Sequence, residues 1–93
     1  MKSIVLENKN YKVIKDYRDA FDLEALTERY TEYFHPYDYI LADWSYGKLR
    51  LKGFYKKEHK NCRELNNYEN LDKYLKDNCA YEARHFVIEK VIE

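Results

Sequence analysis

The sequence predicts an α+β fold in which two helices cover one face of a largely antiparallel sheet. Three observations support this prediction. Two apolar stripes have helical spacing, several short β-rich runs alternate apolar and polar residues, and a Gly-containing turn joins two of those runs into a hairpin. The predicted order is ββαββαβ, and without its first strand it matches a ferredoxin-like core. A length of 93 residues suits a single domain spanning residues 1–93.

The first two predicted elements are strands that pair as a hairpin. Ser3–Glu7 and Tyr11–Tyr17 are rich in β-branched residues, and Asn8–Asn10 between them has the composition of a turn.

The first helix is predicted over Phe21–Phe34. Its apolar residues recur at intervals of three and four, which places them on one face: Leu23, Leu26, Tyr30, Tyr33 and Phe34. Asp22 is a suitable N-cap, and His35-Pro36 ends the helix because the residue before a proline is pushed out of the α conformation.

A long hairpin is predicted over Tyr37–Lys57, with Tyr46-Gly47 as its turn. A two-residue loop makes the numbers of opposed residues sum to 93. The resulting pairs are Trp44–Leu49, Ala42–Leu51 and Ile40–Gly53 on an apolar face, and Asp43–Arg50 and Leu41–Lys52 on a mostly charged one. A three-residue loop with a bulge is the alternative, and it would place Trp44 opposite Lys48.

The remaining elements are a polar connection, a short helix and a final strand. Lys56–Asn70 is the connection, and Leu71–Cys79 has an apolar face of helical spacing. Arg84–Ile92 alternates as a strand, so Phe86 and Val87 point to opposite sides.

Composition restricts the class of protein. No run of about 18 apolar residues is present, and the N-terminal apolar stretch is too short for a signal peptide, so we expect a cytoplasmic protein without a membrane segment. Cys62 and Cys79 suit a reducing compartment as free thiols.

Charge is polarised along the chain although its net value is zero. Residues 16–43 carry eight acids and two bases, a net charge of −6, whereas residues 48–63 carry seven bases and one acid, a net charge of +6. Either the two halves lie together and neutralise each other, or the second half offers a basic face to an anionic partner.

The basic half provides the candidate binding residues. Clustered cations neutralise phosphates and aromatic rings stack on bases, so RNA or another polyanion is the predicted partner. The candidates are Lys48, Arg50, Lys52, Lys56, Lys57, Lys60, Arg63, Tyr46 and Tyr55. Lys52-Gly53-Phe54 matches the start of an RNA-recognition motif strand, but the residues that follow depart from it. The simpler alternative is a solvated cationic strand partly paired with Asp43 and with the acidic helix.

Two other chemistries have weaker signals. His59, Cys62, Cys79 and His85 are zinc-type ligands, but they lack a CxxC pair, so we expect a core thiol, a loop anchor and surface histidines. Asp43 beside Trp44, with His35 upstream, could form a catalytic pocket, but pairing of Asp43 with Arg50 is simpler and no catalytic motif is present. We therefore expect neither a cofactor nor an enzyme.

Tyrosine is unusually frequent, with 11 residues. Tyr rings either roof a thin core or form a recognition surface. The second possibility supports an alternative function, a protein-interaction adaptor that uses a Tyr-rich surface or a sheet edge.

Three segments resemble the YutD-like family of small bacterial proteins: FDLEALTERY, YDYILADWSYGKLRLKGFY and CAYEARHFVIEKV. The resemblance covers about Tyr11 to Val91, and Asp43–Tyr55 is its most specific part. It implies a compact α+β domain in the bacterial cytoplasm and no established activity or site residues. We therefore predict a non-enzymatic binding module.

Overall fold

The computed structural model describes residues 2–78 and 83–91. Within them, five strands form one antiparallel sheet against which two helices pack. In chain order the elements are β1 (Lys2–Leu6), β2 (Lys9–Tyr17), α1 (Leu23–Arg29), β3 (Tyr39–Ser45), β4 (Lys48–Phe54), α2 (Leu71–Asn78) and β5 (His85–Lys90). Short 3-10 turns occupy Glu32–Phe34, Glu64–Asn66 and Tyr68–Asn70. The α+β class is confirmed.

The strand order does not follow the ferredoxin-like expectation. The order is β1-β2-β5-β3-β4, so the last strand lies at the centre of the sheet, whereas a ferredoxin-like core keeps its last strand at an edge. The reason is burial: His85, Phe86, Val87 and Ile88 are all buried, and only a central strand is covered on both faces.

The prediction that both helices cover one face is wrong. Leu26 of α1 packs with Ile40 and Ala42 on one face, and Leu71 of α2 packs with Leu41 on the other. Adjacent residues in a strand point to opposite faces, so an uninterrupted apolar run requires a cover on each side.

The register of the β3–β4 hairpin is confirmed. Trp44 lies opposite Leu49 and Asp43 opposite Arg50, so the numbers sum to 93 and the bulged alternative does not occur. Tyr46 and Gly47 have φ angles of 53° and 76°, as a two-residue turn of type I′ requires.

Several boundaries differ from the prediction, among them the first turn and the end of α1. The first hairpin turns at Glu7 and Asn8, with φ of 48° and 67°, instead of at Asn8–Asn10. Asp22 caps α1 as predicted, but the helix ends early because Tyr30 becomes extended, with φ −75° and ψ 132°. Its buried hydroxyl then lies 2.6 Å from the hydroxyl of Tyr11 in the core.

The polar connection after β4 returns along the end of that strand. The amide of Tyr55 donates to the carbonyl of Asn66 at 2.7 Å, and the amide of Tyr68 donates to the carbonyl of Tyr55 at 3.0 Å. In the part of the chain that the structure describes, neither helix is long and apolar enough to cross a membrane.

Gly53 is required by the ring of Tyr37. A Cβ atom at position 53 would lie 2.3–2.5 Å from three carbons of that ring. The aromatic side chain therefore fills the place left by the missing side chain on this edge strand, which anchors the start of the hairpin.

We expect Gly53→Ala to lower the free energy of unfolding by about 1–3 kcal/mol, because the Tyr37 ring must move aside. Urea denaturation measures the change. In a Tyr37→Ala background the same substitution should cost much less. An equal cost in both backgrounds would show that the ring contact is not the cause.

Candidate functional site: the hairpin and its two ends

Trp44 fixes the end of the β3–β4 hairpin that lies next to the Tyr46-Gly47 turn. Its indole N–H donates to the carbonyl of Ala20 at 2.9 Å. The guanidinium of Arg84 lies 5.6 Å from the Trp44 ring centroid and donates to the carbonyl of Asp19 at 2.9 Å. These contacts hold the strands rigidly to the segment that precedes α1.

Asp43 and Arg50 form the ion pair that the register predicts. Only 3% of Asp43 is exposed, and its Oδ2 accepts from Arg50 Nη2 at 2.6 Å and from Nε at 3.2 Å. Arg50 also donates to the carbonyl of Asn78 at the end of α2, at 3.3 Å. His35 contacts Glu7 at 3.1 Å and its carbonyl accepts from Lys90 at the opposite end of β5 from Asp43, so His35 and Asp43 do not share the pocket considered for them.

The predicted basic residues do not form one continuous patch. Lys48 is exposed beside the turn, whereas Lys52 is half-buried with its ammonium 5.5 Å from the centroid of the Phe54 ring. Lys57 and Lys60 are exposed in the connection after β4, and a strand of this length separates them from the turn by about 20 Å. The structure therefore divides the candidates between the turn of the hairpin at residues 46–48, here called the tip, and the connection after β4, here called the base. The base group is Lys56, Lys57, Lys60 and Arg63.

Tyr55 is not available as a stacking residue. Its ring lies between Tyr37, at a centroid distance of 4.6 Å, and His59, at 4.1 Å, and only 7% of the residue is exposed. A hydrogen bond with Tyr33 and, to a smaller extent, burial raise the pKa of Tyr37 to about 12. This stack closes the base of the hairpin and occupies both faces of the Tyr55 ring.

The sheet lies between the acidic and the basic halves of the chain. Helix α1, with its exposed acids, covers the face of Leu49 and Leu51, whereas Lys48, Arg50 and Lys52 alternate onto the opposite face. The two halves therefore neutralise each other in part, through the Asp43–Arg50 ion pair, while the exposed acids of the α1 side lie across the sheet from Lys48 and Lys52. The exposed acids on the α1 side are Asp16, Asp19, Asp22, Glu24, Glu28 and Glu32.

The tip of the hairpin is the most exposed part of this surface. Tyr46 has 101% of its reference surface accessible, and Gly47 and Lys48 beside it are exposed as well. Of the two predicted aromatic candidates, only Tyr46 remains open to a partner.

The candidate zinc ligands do not come together. No group of three His, Cys, Asp or Glu side chains that could hold a metal occurs within residues 2–78 and 83–91, and Cys79 lies outside them. His59 stacks on Tyr55 and accepts from the amide of Asn61 at 3.0 Å. The expectation of a surface histidine is wrong for His85, which is buried near the other end of the sheet, on the ring of Tyr17 and within 2.9 Å of the Ala83 carbonyl.

Sequence reasoning missed the role of Arg84 and four exposed apolar side chains, which are Val5, Leu23, Tyr33 and Leu65. Leu65 is 83% exposed and Tyr33 is 65% exposed. Leu65 could have been suspected, since it is isolated in a polar segment. Tyr33 could not, because the helical stripe assigned it to the core. No pattern in the sequence indicates that Arg84 contacts Trp44.

The chain is similar to known proteins over most of its length. The family model described as "Putative antitoxin YutD-like" matches residues 5–89. "Putative antitoxin YutD" of Bacillus subtilis (strain 168) is 32% identical over 88 residues, which cover 95% of this chain and 97% of the relative. The solution NMR structure of yutD from B. subtilis has a TM-score of 0.82 at 30% identity and covers 100% of this chain and 84% of that one.

We expect Arg50→Met to lower the free energy of unfolding by roughly 2 kcal/mol or more, because it leaves the Asp43 carboxylate buried without its partner. Asp43→Asn should cost less, since the half-exposed guanidinium can return to water. Lys52→Met, on the same face, is the matched control. Urea denaturation of the three variants checks the order, and an Arg50 variant as stable as the Lys52 variant would contradict it.

Proposed function

The chain belongs to the YutD-like family, and from that membership we propose that it acts as an antitoxin, by binding a partner protein and holding it inactive. The name of its B. subtilis relative, "Putative antitoxin YutD", suggests this function. An antitoxin of this kind needs a binding surface and no catalytic group of its own.

The observation that carries the proposal is a hairpin whose turn is exposed while the strand residues next to the turn, here called the neck (Asp43, Trp44 and Arg50), are held by side-chain contacts. Trp44 is hydrogen-bonded to Ala20, Asp43 is paired with Arg50, and Tyr46 beyond them is fully exposed. A surface that is already rigid loses little conformational entropy on binding, so more of the contact energy appears as affinity.

The polar side chains of the neck favour a binding function over a catalytic one. The Asp43 carboxylate accepts two hydrogen bonds from Arg50. A buried acid engaged in this way stabilises the register of the two strands and is poorly placed to accept a proton from a substrate.

The experiment is affinity purification of the full chain from native cells, with and without nuclease, followed by expression of the captured protein. We expect one protein to be retained after nuclease treatment. Expressed alone, that protein should slow growth, and co-expression with this chain should restore it. A captured protein that leaves growth unchanged in both cases would overturn the proposal.

A second candidate function, binding of RNA or another polyanion, is favoured by the separation of charge. The cations of β4 lie on the face opposite α1, so the sheet screens them from the exposed acids of the α1 side, and the base group continues this basic segment beyond β4. Lys56 and Lys57 also line a cleft of about 210 Å³ with Tyr39 and Tyr68, whose rings stack at 3.7 Å, although Glu58 and Glu69 line the same cleft.

For this second candidate we expect the double variant Lys57→Glu, Lys60→Glu to weaken binding of cellular RNA and to reduce the slope of log K against log[salt] by about one or more. Filter binding over a salt series measures both quantities. The control is Lys9→Glu, Lys15→Glu, which makes the same change in net charge on exposed residues of β2. Equal losses in the two variants would show a net-charge effect and no site at the base.

A further inference from the structure

The turn of the long hairpin contains a residue that its backbone disfavours. Tyr46 and Gly47 both have positive φ angles, 53° and 76°. Turns of this type take Asn, Asp or Gly, because their short or absent side chains tolerate the left-handed conformation. A large aromatic side chain at the first position is unfavourable for folding.

The rest of the described chain does not compensate for this choice. Among residues 2–78 and 83–91, no ring contact or hydrogen bond involves the Tyr46 side chain, and the ring is fully exposed. Tyr37 and Tyr55, by contrast, stack on each other with their centroids 4.6 Å apart. When a residue is unfavourable for its backbone conformation and makes no compensating contacts, we expect it to have a functional role.

We propose that Tyr46 is the anchor of the antitoxin surface and inserts into an apolar pocket on the partner protein, with carboxylates at the pocket's rim facing Lys48. This inference rests on the proposed function and names the contact that would carry it. Tyr is among the residues that dominate binding energy at interfaces, because it buries a large area and loses few rotatable bonds.

Charge and geometry at the tip favour a protein pocket over a nucleic acid. Lys48 is exposed beside the ring, whereas Arg50 is held by the Asp43 carboxylate at 2.6 Å. The guanidinium of Arg84, on the ring of Trp44, is engaged by the Asp19 carbonyl at 2.9 Å, and the base group lies about 20 Å along the strand. A polyanion would be held at the base, whereas an isolated aromatic ring with the Lys48 ammonium beside it suits an apolar pocket with an acidic rim.

The test begins with cross-linking in native cells. A photo-reactive phenylalanine analogue replaces Tyr46 in the full chain, and the same analogue replaces Leu65, which is 83% exposed on a different segment. We expect position 46, and not position 65, to form an adduct with the protein that affinity purification captures, both with and without nuclease.

The second stage measures affinity with that partner after purification. We expect Tyr46→Asn to weaken binding about 30-fold or more, as the loss of an interface anchor does. Tyr46→Phe should bind nearly as the unchanged chain does, since it keeps the ring, and Leu65→Asn should bind equally well. Lys48→Glu should slow association most at low salt.

The Asn variant has a second readout that a merely structural role would not produce. Because Asn suits the turn better than Tyr, Tyr46→Asn should melt at a higher temperature than the unchanged chain while it loses the partner. A lower melting temperature would overturn the strain argument.

The remaining outcomes separate the anchor from the function. Undiminished binding by Tyr46→Asn would overturn the anchor and leave the antitoxin function standing. An adduct at position 46 that nuclease removes would replace the protein pocket with RNA. No captured protein at all would overturn the antitoxin function itself.

Discussion

The structure depends on the insertion of β5 between two hairpins that are distant in sequence. β1–β2 and β3–β4 are each closed by their own short turn, but neither hairpin contacts the other through a backbone ladder until β5 pairs with β2 on one side and β3 on the other. Two-stranded hairpins are marginal in water, so the last strand turns two weak units into one sheet. Phe86 and Val87 are fully buried on opposite faces, which is why each face needs its own helix.

Local chemistry made the long hairpin predictable, down to each opposed pair. Its turn has a Gly that supplies the positive φ, and a shift by one residue would place Lys48 opposite Trp44 and turn Leu49 to the other face. The sheet order and the helix positions are set by contacts between segments far apart in sequence. A signal for them was nevertheless present, because the uninterrupted apolar run Phe86–Ile88 is typical of a strand covered on both faces.

The candidate site was predicted less completely, since it depends on which side chains are already engaged. The sequence shows the cations but not that Lys52 folds over Phe54 or that Tyr55 lies between two rings. Several tyrosines that looked available for recognition instead cover the core: the Tyr11–Tyr30 pair is joined by a hydrogen bond and Tyr39 stacks on Tyr68.

The stretch from Asp43 to Tyr55, which at first resembles a functional signature, is for the most part a folding unit. Its residues with an evident structural role are Asp43, Trp44, Gly47, Leu49, Arg50, Leu51, Gly53, Phe54 and Tyr55. Each is buried, ion-paired, stacked or required by the backbone. Among the remaining residues Tyr46 differs from Ser45, Lys48 and Lys52, because the turn around it would form more readily with Asn and no described residue contacts its ring. A fold that fixes the strands on both sides of one residue and gains nothing from that residue presents it to another molecule.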